Sequence, residues 1–486
     1  MLQSRFLKLL GAVTAINIIA RLFGFFREVF IGYQYGTSYQ ADSIITAFTI
    51  PNFLYLVLGG AVTTAFISVY SKLTGTRKND FASTMFTVLT TVVGVLTILF
   101  MLFPAFWMEL FFSGMSAHAL ELSSNLFVIT APSTLFLVVG IALSGLHNVN
   151  GNYRLSTFST LFFNGIYLVI GAGLTPWLMA YSYAIGATLG AAIMCLFLIY
   201  YMFKLKLMPL KPKMVRMSEN TRFIKLALPL VLGGATMQFY LLIQRMFASS
   251  LNDGGIAVLN YASKMTQFPQ AVLMASVTTI VYPMLAKAAG EGDAKRISEA
   301  YKKGFRLLTL ILIPASLFIL IYAEDIITFI FQYGHFNQNS TNATYPLLQI
   351  YAAAIASLAL NTYITRFFYA LEKTVLPVVL NVFSIFGINI LVIVIYIDEF
   401  GPAAIALGTV ISAIVNMLLL MICAKWKLGL KVSNLGYIIK LIPYTLVSGF
   451  ALWAVSMIPL MYVLVSLICG TVALSLIIGS ALKFVR

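Results

Sequence analysis

The sequence predicts an all-α polytopic membrane protein of about 14 transmembrane helices: two six-helix lobes in parallel repeat, then two further C-terminal helices. Three observations predict it. The 486 residues are 60% hydrophobic and only 9% charged, a composition no soluble globule carries. Apolar runs recur along the whole length, with no polar segment long enough for a soluble domain. The loops between them alternate in charge, one basic and the next not.

At about 20 apolar residues per crossing, the runs fall at 8–33, 42–71, 83–112, 123–147, 155–175, 178–203, 222–250, 256–287, 304–332, 343–370, 374–397, 401–424, 434–456 and 460–483. The first resembles a signal peptide. No small-residue cleavage site follows it and Arg21 and Arg27 interrupt it, so it reads as a retained helix. The longest hydrophilic breaks, near 204–222 and 287–306, have room for helix ends or short interfacial helices. Cys195, Cys423 and Cys469 sit in apolar runs and read as packing residues.

Orientation follows from the basic residues. One side collects Arg5 and Lys8, then Lys72, Arg77 and Lys78, then Arg154, the basic stretches 204–225 and 287–306, Arg366 with Lys373, Lys425 with Lys427 and Lys431, and Lys483 with Arg486. The other holds Asp42, Glu109, Glu121, Asp253, Asp398 and Glu399, with no Lys or Arg. The alternation predicts an even number of spans with both termini in the cytoplasm. The basic clusters are a topology signal, and beside helix ends they also suit anionic lipids.

The chain repeats itself. Val62-Thr63-Thr64 precedes Lys72 as Val277-Thr278-Thr279 precedes Lys287, and Arg27 stands as far before Pro51 as Arg245 before Pro269. Residues 1–203 and 204–424 thus read as two lobes in the same orientation, with 425–486 as an appendix. In such an architecture the site lies at the lobe interface, and Arg27 and Arg245 are expected to face each other across a central cavity.

Four basic residues, Arg21, Arg27, Arg245 and Lys264, lie inside apolar segments, and one acid, Glu28, lies with them. A charge at bilayer depth costs on the order of 3 kcal/mol or more, so it is kept where it faces a wet cavity and acts. Asn17, Arg21, Gly24 and Glu28 share one face of the first helix by their spacing, and Arg27 widens that polar arc. Gln238, Arg245 and Ser249 share a face of the seventh, and Tyr261, Lys264 and Gln267 of the eighth. Glu28 offsets part of the charge but one carboxylate does not neutralise two arginines. Arg suits bidentate phosphate contacts and Lys is a compact phosphate-binding charge, so the cluster points to an anionic substrate such as a diphosphate. Asp42 reads equally as an outer gate or as a helix cap. Pro51 and Pro269 kink their helices, either as hinges or as static bends.

No enzyme chemistry appears. His118, His147 and His335 lack ligand spacing, so no metal or other cofactor is expected, and the basic clusters are too poor in aromatics for nucleic acid.

The segments Arg21-Leu22-Phe23-Gly24-Phe25-Phe26-Arg27-Glu28, Tyr35-Gly36, Ala41-Asp42, Ala47-Phe48 and Ile50-Pro51-Asn52 resemble the N-terminal signature of the MurJ/MviN lipid II flippases, members of the multidrug/oligosaccharidyl-lipid/polysaccharide exporter superfamily. Leu226-Ala227-Leu228-Pro229, Tyr261-Ala262, Gly290-Glu291-Gly292-Asp293 and Phe368-Tyr369-Ala370 extend the likeness over roughly 8–425. The resemblance implies 14 helices around a cationic cavity and movement of an undecaprenyl-diphosphate-linked cell-wall precursor, lipid II, to the outer leaflet for peptidoglycan synthesis. It implies functional roles for Arg21, Arg27, Glu28 and Asp42, and a polyprenyl-tail groove beside the last two helices; the matched prolines Pro51 and Pro269, with Asn52, are the gating or hinge candidates that the proline kinks suggest. Lys264 stands where the family usually has Arg, and Gln267 where it often has Glu; Arg245 is an added cation. These departures leave room for a different head group on the polyprenyl lipid.

The expected mechanism is alternating access. The diphosphate pairs with Arg21, Arg27 and Lys264, assisted by Arg245, with Asn17 and Gln267 in the same cavity, while the tail stays in lipid. Membrane potential or an ion supplies the coupling, and cell-wall synthesis proteins are candidate partners. A drug or cation antiporter of the same superfamily would need intramembrane acids, and a lone Glu28 beside two arginines argues against it. A membrane-embedded transferase or hydrolase would need catalytic carboxylates that the sequence lacks. A scaffold of the division machinery or of spore-coat assembly is compatible with the composition.

Overall fold

The computed structural model describes residues 2–207, 212–267, 270, 285, 288, 290–291, 293–430, 435–458 and 462–483. Their regular structure is helical. Eleven of the expected segments hold a helix, or a bent helix pair, long and apolar enough to cross a membrane. The runs at 8–33 and 222–250 are helices too, of 34 and 32 residues, but fall outside that set. These are the helices that carry Arg21, Arg27, Glu28 and Arg245. The fourteenth run is helical over 255–267, and most of the rest of it, with Pro269 and the Val277-Thr278-Thr279 repeat, lies outside the described residues.

By packing the chain divides into two compact units, Met1–Ala257 and Val258–Arg486. The first contains α1 (Leu2–Tyr35), α2 (Tyr39–Ala47), α3 (Thr49–Tyr70), α4 (Gly75–Leu102), α5 (Pro104–Phe112), α6 (Ala117–Val149), α7 (Tyr153–Leu178), α8 (Tyr181–Lys204) and α9 (Ser218–Ser249).

The second expected span is divided at Phe48 into α2 and α3. Pro51 is the cause, because its ring has no N–H to offer the carbonyl four residues earlier. That carbonyl, on Ala47, is taken instead by the hydroxyl of Thr130 on α6, which donates to it at 3.0 Å. The freed backbone group is satisfied inside the protein, as lipid depth requires. The third expected span is likewise cut, at Phe103, because Pro104 opens α5.

Small residues set the closest approaches in this unit. A Cβ on Gly186 would stand 2.9 Å from the Tyr167 carbonyl oxygen, and one on Gly190 2.8 Å from that of Phe163. These glycines let α8 lie against α7 backbone to backbone, a packing mode that serves where lipid supplies no hydrophobic drive. Farther along, Phe66 stacks on Tyr70 and Phe81 at ring distances of 4.9 and 5.8 Å, over a core with Leu143, Leu146 and Leu198.

The second unit holds α10 (Ala294–Ile321), α11 (Ala323–Phe331), α12 (Gln338–Ala352), α13 (Ala354–Ala370), α14 (Val375–Val382), a π-helical turn at Phe383–Asn389, α15 (Ile390–Phe400), α16 (Pro402–Leu428), α17 (Leu435–Ser456) and α18 (Val463–Lys483). The Asp293 side chain caps α10 by accepting from Arg296 N–H at 3.0 Å. α12 and α13 form one span bent by 42°. Gly304 makes room for Tyr363, whose hydroxyl donates to the Ala300 carbonyl at 2.9 Å. The last two helices pack on α10 and α11. Tyr444 donates to the Leu310 carbonyl at 2.7 Å, and Ser466 to Asp325 at 2.7 Å.

Candidate anion site and outer latch

Four helices of the first unit converge on the charged residues. From α1, Arg27 Nη2 donates to Glu28 Oε1 at 2.8 Å, and the Glu28 residue is only 5% exposed. From α7, the Tyr167 ring lies 4.4 Å from the Arg27 guanidinium carbon. From α9, Arg245 Nη1 donates to Thr49 Oγ1 of α3 at 2.7 Å. Arg245 lies near enough to Glu28, Arg27 and Tyr167 to interact electrostatically with each. Phe48, at the break before α3, packs edge-on against Tyr167 with ring centres 5.2 Å apart.

Each position has a local reason. Thr49 opens α3, and its hydroxyl donates back to Ile45 while accepting from Arg245. Phe53 and Phe239 meet at 5.0 Å one turn away and hold α3 and α9 in register. Gly24 faces Asn164, where a Cβ would come within 3.3 Å of Oδ1, so α1 lies flush on α7 and brings Arg27 beside Tyr167. The Tyr167 face pairs a π surface with a guanidinium, a contact stronger where water is excluded.

The other predicted residues are placed as follows. Asn17 and Arg21 are exposed on α1, so the expected polar face is buried at Glu28 and open nearer the N-terminus. Lys264 is half-buried and Gln267 exposed, while Tyr261 is buried against Phe331 and Phe336 in the second unit. The eighth-helix face expected from spacing is therefore divided: Tyr261 serves the core. Ser249 is turned back onto the Met246 carbonyl at 2.7 Å. Pro51 is buried in the first turn of α3, Asn52 follows it half-buried, and Pro269 lies outside the described residues.

Asp42 is a cap, though not of its own helix. Its Oδ2 accepts from the Gly254 N–H at 2.6 Å and its Oδ1 from the Ala257 N–H at 2.7 Å. It thus holds the start of the helical stretch 255–267 from 212 residues away. Gly254 has φ +91°, and a Cβ there would stand 2.2 Å from the Thr37 carbonyl oxygen. Ser116 donates to Asp253 at 2.8 Å, and Gly114 lies against the Ser250 backbone. Three turns, those after α1, α5 and α9, are thereby locked together at one end of the unit.

Sequence reasoning missed Thr49, Tyr167 and Thr130. Each is an ordinary residue in an apolar run, and no local pattern marks it.

The family described as Lipid II flippase MurJ matches residues 31–473. The chain belongs to that family. Among MurJ relatives, the probable lipid II flippase of Vibrio cholerae is 28% identical over 437 residues, 86% of this chain and 82% of its own. That of Buchnera aphidicola from Acyrthosiphon pisum is 26% identical over 425 residues, covering 85% and 83%. A solved lipid II flippase MurJ in an inward closed conformation superposes with a TM-score of 0.86 at 23% identity, over 98% of this chain and 99% of that one. An inward-facing multidrug resistance MATE transporter of the MOP superfamily gives 0.74 at 14% identity, over 86% and 98%. These two likenesses show the shared fold; family membership and the long apolar helices make the chain a multi-pass membrane protein.

Proposed function

We propose that this chain is a transporter that moves lipid II from the inner to the outer leaflet of the bacterial cytoplasmic membrane, with its termini in the cytoplasm. Family membership and the names of its relatives support the substrate. The one-sided distribution of Lys and Arg supports the orientation. A flippase relocates a lipid and breaks no covalent bond, so no catalytic group is required.

The observation that carries the binding step is that Arg27 and Arg245 share the charge of a single described acid, Glu28. An entering diphosphate offers both guanidiniums oxygens in the bidentate geometry they favour. Arg21, exposed six positions earlier on α1, meets the lipid first. Access to the site alternates between the two membrane faces, and the Asp42 latch opens when the outer face does. Membrane potential supplies drive: about 2.3 kcal/mol per unit charge per 100 mV favours outward movement of an anion in an inside-negative cell. Cell-wall synthesis proteins are the natural recipients of the product.

The test is genetic. Cells depleted of their own lipid II flippase and expressing this chain should regain growth and outer-leaflet lipid II. Failure at normal membrane abundance rejects the substrate. Arg27→Ala alone confounds binding with folding, since it removes the hydrogen-bonded partner of a buried carboxylate, at a cost of up to about 3–5 kcal/mol. The double variant Arg27→Gln with Glu28→Gln leaves the net charge of the cluster unchanged and should still lose transport.

A further inference from the structure

We propose that Gln34 is a positioning residue for anion binding: it holds α1 at the height and rotation that put the Arg27 guanidinium on the Tyr167 ring beside Glu28. The proposal rests on the anion-site reading above and adds to it the side chain that fixes its geometry.

Gln34 stands seven positions after Arg27, two turns of helix and about 10 Å farther along the same face. It is half-buried in the last turn of α1. Its Nε2 donates to the Ala172 carbonyl of α7 at 2.9 Å. Its Oε1 accepts from the Thr175 hydroxyl of α7 at 2.9 Å and from the Tyr183 hydroxyl of α8 at 2.7 Å. A carbonyl only accepts, so the nitrogen faces Ala172 and the oxygen is left to take the hydroxyls. One side chain thus ties α1 to two helices, with directed bonds at both ends of its amide.

Its partners have anchors of their own. Tyr183 is buried, with its ring against Gly171, where a Cβ would come within 2.6 Å of it, and edge-on to Tyr35 at 6.3 Å. The Thr175 hydroxyl also stands 3.1 Å from that of Ser182, which reaches the Gly171 carbonyl at 2.7 Å. Gln34 is therefore pinned to a packed α7–α8 hairpin.

The α1–α7 contacts nearer the site are of another kind. Gly24 lies opposite Asn164, Phe23 against Gly165, and Arg27 over the face of Tyr167. These are contacts of shape, with little direction to forbid sliding, and in lipid no hydrophobic drive holds two helices in one register. A slip of one residue carries a side chain about 1.5 Å along the axis and about 100° round it. That takes Arg27 off the ring and away from Arg245. Interhelical hydrogen bonds are the interactions that fix a register in such surroundings, and Gln34 makes three of them on the face that Arg27 shares.

The test measures binding of undecaprenyl diphosphate and undecaprenyl monophosphate to the purified full chain in detergent. A diphosphate engages Arg27 and Arg245 together where both are correctly placed, whereas a monophosphate is held by either alone. The parent should prefer the diphosphate by about tenfold or more, the effect of one further hydrogen bond to a charged group. Gln34→Met keeps the volume and removes all three hydrogen bonds, and the preference should fall to about threefold or less. Thr175→Val removes one of them and should give an intermediate value; it carries the test if the methionine variant fails to fold. In the chain with Arg27→Gln and Glu28→Gln, Gln34→Met should change the preference no further, because its effect passes through Arg27. An equal loss of affinity for both lipids, or a preference unchanged in Gln34→Met and Thr175→Val, makes Gln34 a general brace of the helix and overturns the proposal. A parent that does not distinguish the two lipids rejects the anion site itself, and the proposal with it.

Discussion

Arg245 and Thr49 are 196 positions apart in the chain and 2.7 Å apart in space. The contact ties the added cation of α9 to the first residue of α3, beside the break that Pro51 forces. The position of the guanidinium thus depends on a hydroxyl that is itself anchored to Ile45.

Thr49→Val removes that acceptor at nearly constant shape. A hydrogen bond to a charged group contributes about 1.5–3 kcal/mol, so transport should fall at least several-fold with membrane abundance retained. Thr49→Ser should restore it. Complementation growth rate reads both, and equal growth of all three chains would reject a role for the contact.

Tyr167 holds Arg27 through its ring face. Tyr167→Phe should keep most of the activity, because the π surface remains. Tyr167→Leu should lose binding worth about 0.5–2 kcal/mol. Affinity for a diphosphate lipid analogue, measured on purified protein, distinguishes the two; identical losses would place the hydroxyl, not the ring, at the site.

The latch at Asp42 should be sensitive to geometry. Gly254→Ala places a methyl group against the Thr37 carbonyl oxygen, and Asp42→Asn leaves one oxygen where two backbone donors now have two. Both should loosen the three turns. A cysteine at Ser116 labelled by a membrane-impermeant maleimide should react faster in either variant than in the parent. Unchanged labelling would make Asp42 a cap with no part in access.

Thr130→Val strands the Ala47 carbonyl that Pro51 frees. A buried unsatisfied acceptor costs about 1–3 kcal/mol. The thermal midpoint in detergent should drop, and Thr130→Ser should recover it. Combining Thr130→Val with Pro51→Ala should cost less than the valine alone, since alanine restores a backbone donor.

Much of the fold was legible because the bilayer writes it into composition. Spans follow from twenty-residue apolar runs, and their ends from where Lys and Arg gather. The charged residues on α1 and α9 stood out against that background. What escaped notice were their partners. Tyr167, Thr49 and Thr130 carry no charge, and Tyr and Thr are ordinary inside a membrane helix. Asp42 was visible as an acid, yet its sequence neighbours do not say which helix it caps. The eighth-helix face was misjudged at Tyr261 because spacing alone does not tell a core-facing aromatic from a cavity-facing one.

By itself, then, the sequence determined that this is a helical membrane protein with buried cations and few acids to balance them. That follows from the cost of polar groups in hydrocarbon, which acts on every residue regardless of its neighbours. Only the tertiary structure decided that Arg27 and Arg245 meet over Glu28 and Tyr167, and that Asp42 closes a turn 212 residues away. Those contacts depend on which helices lie flush, and that is set by glycine-sized gaps and displaced carbonyls whose effect appears only once the chain has packed.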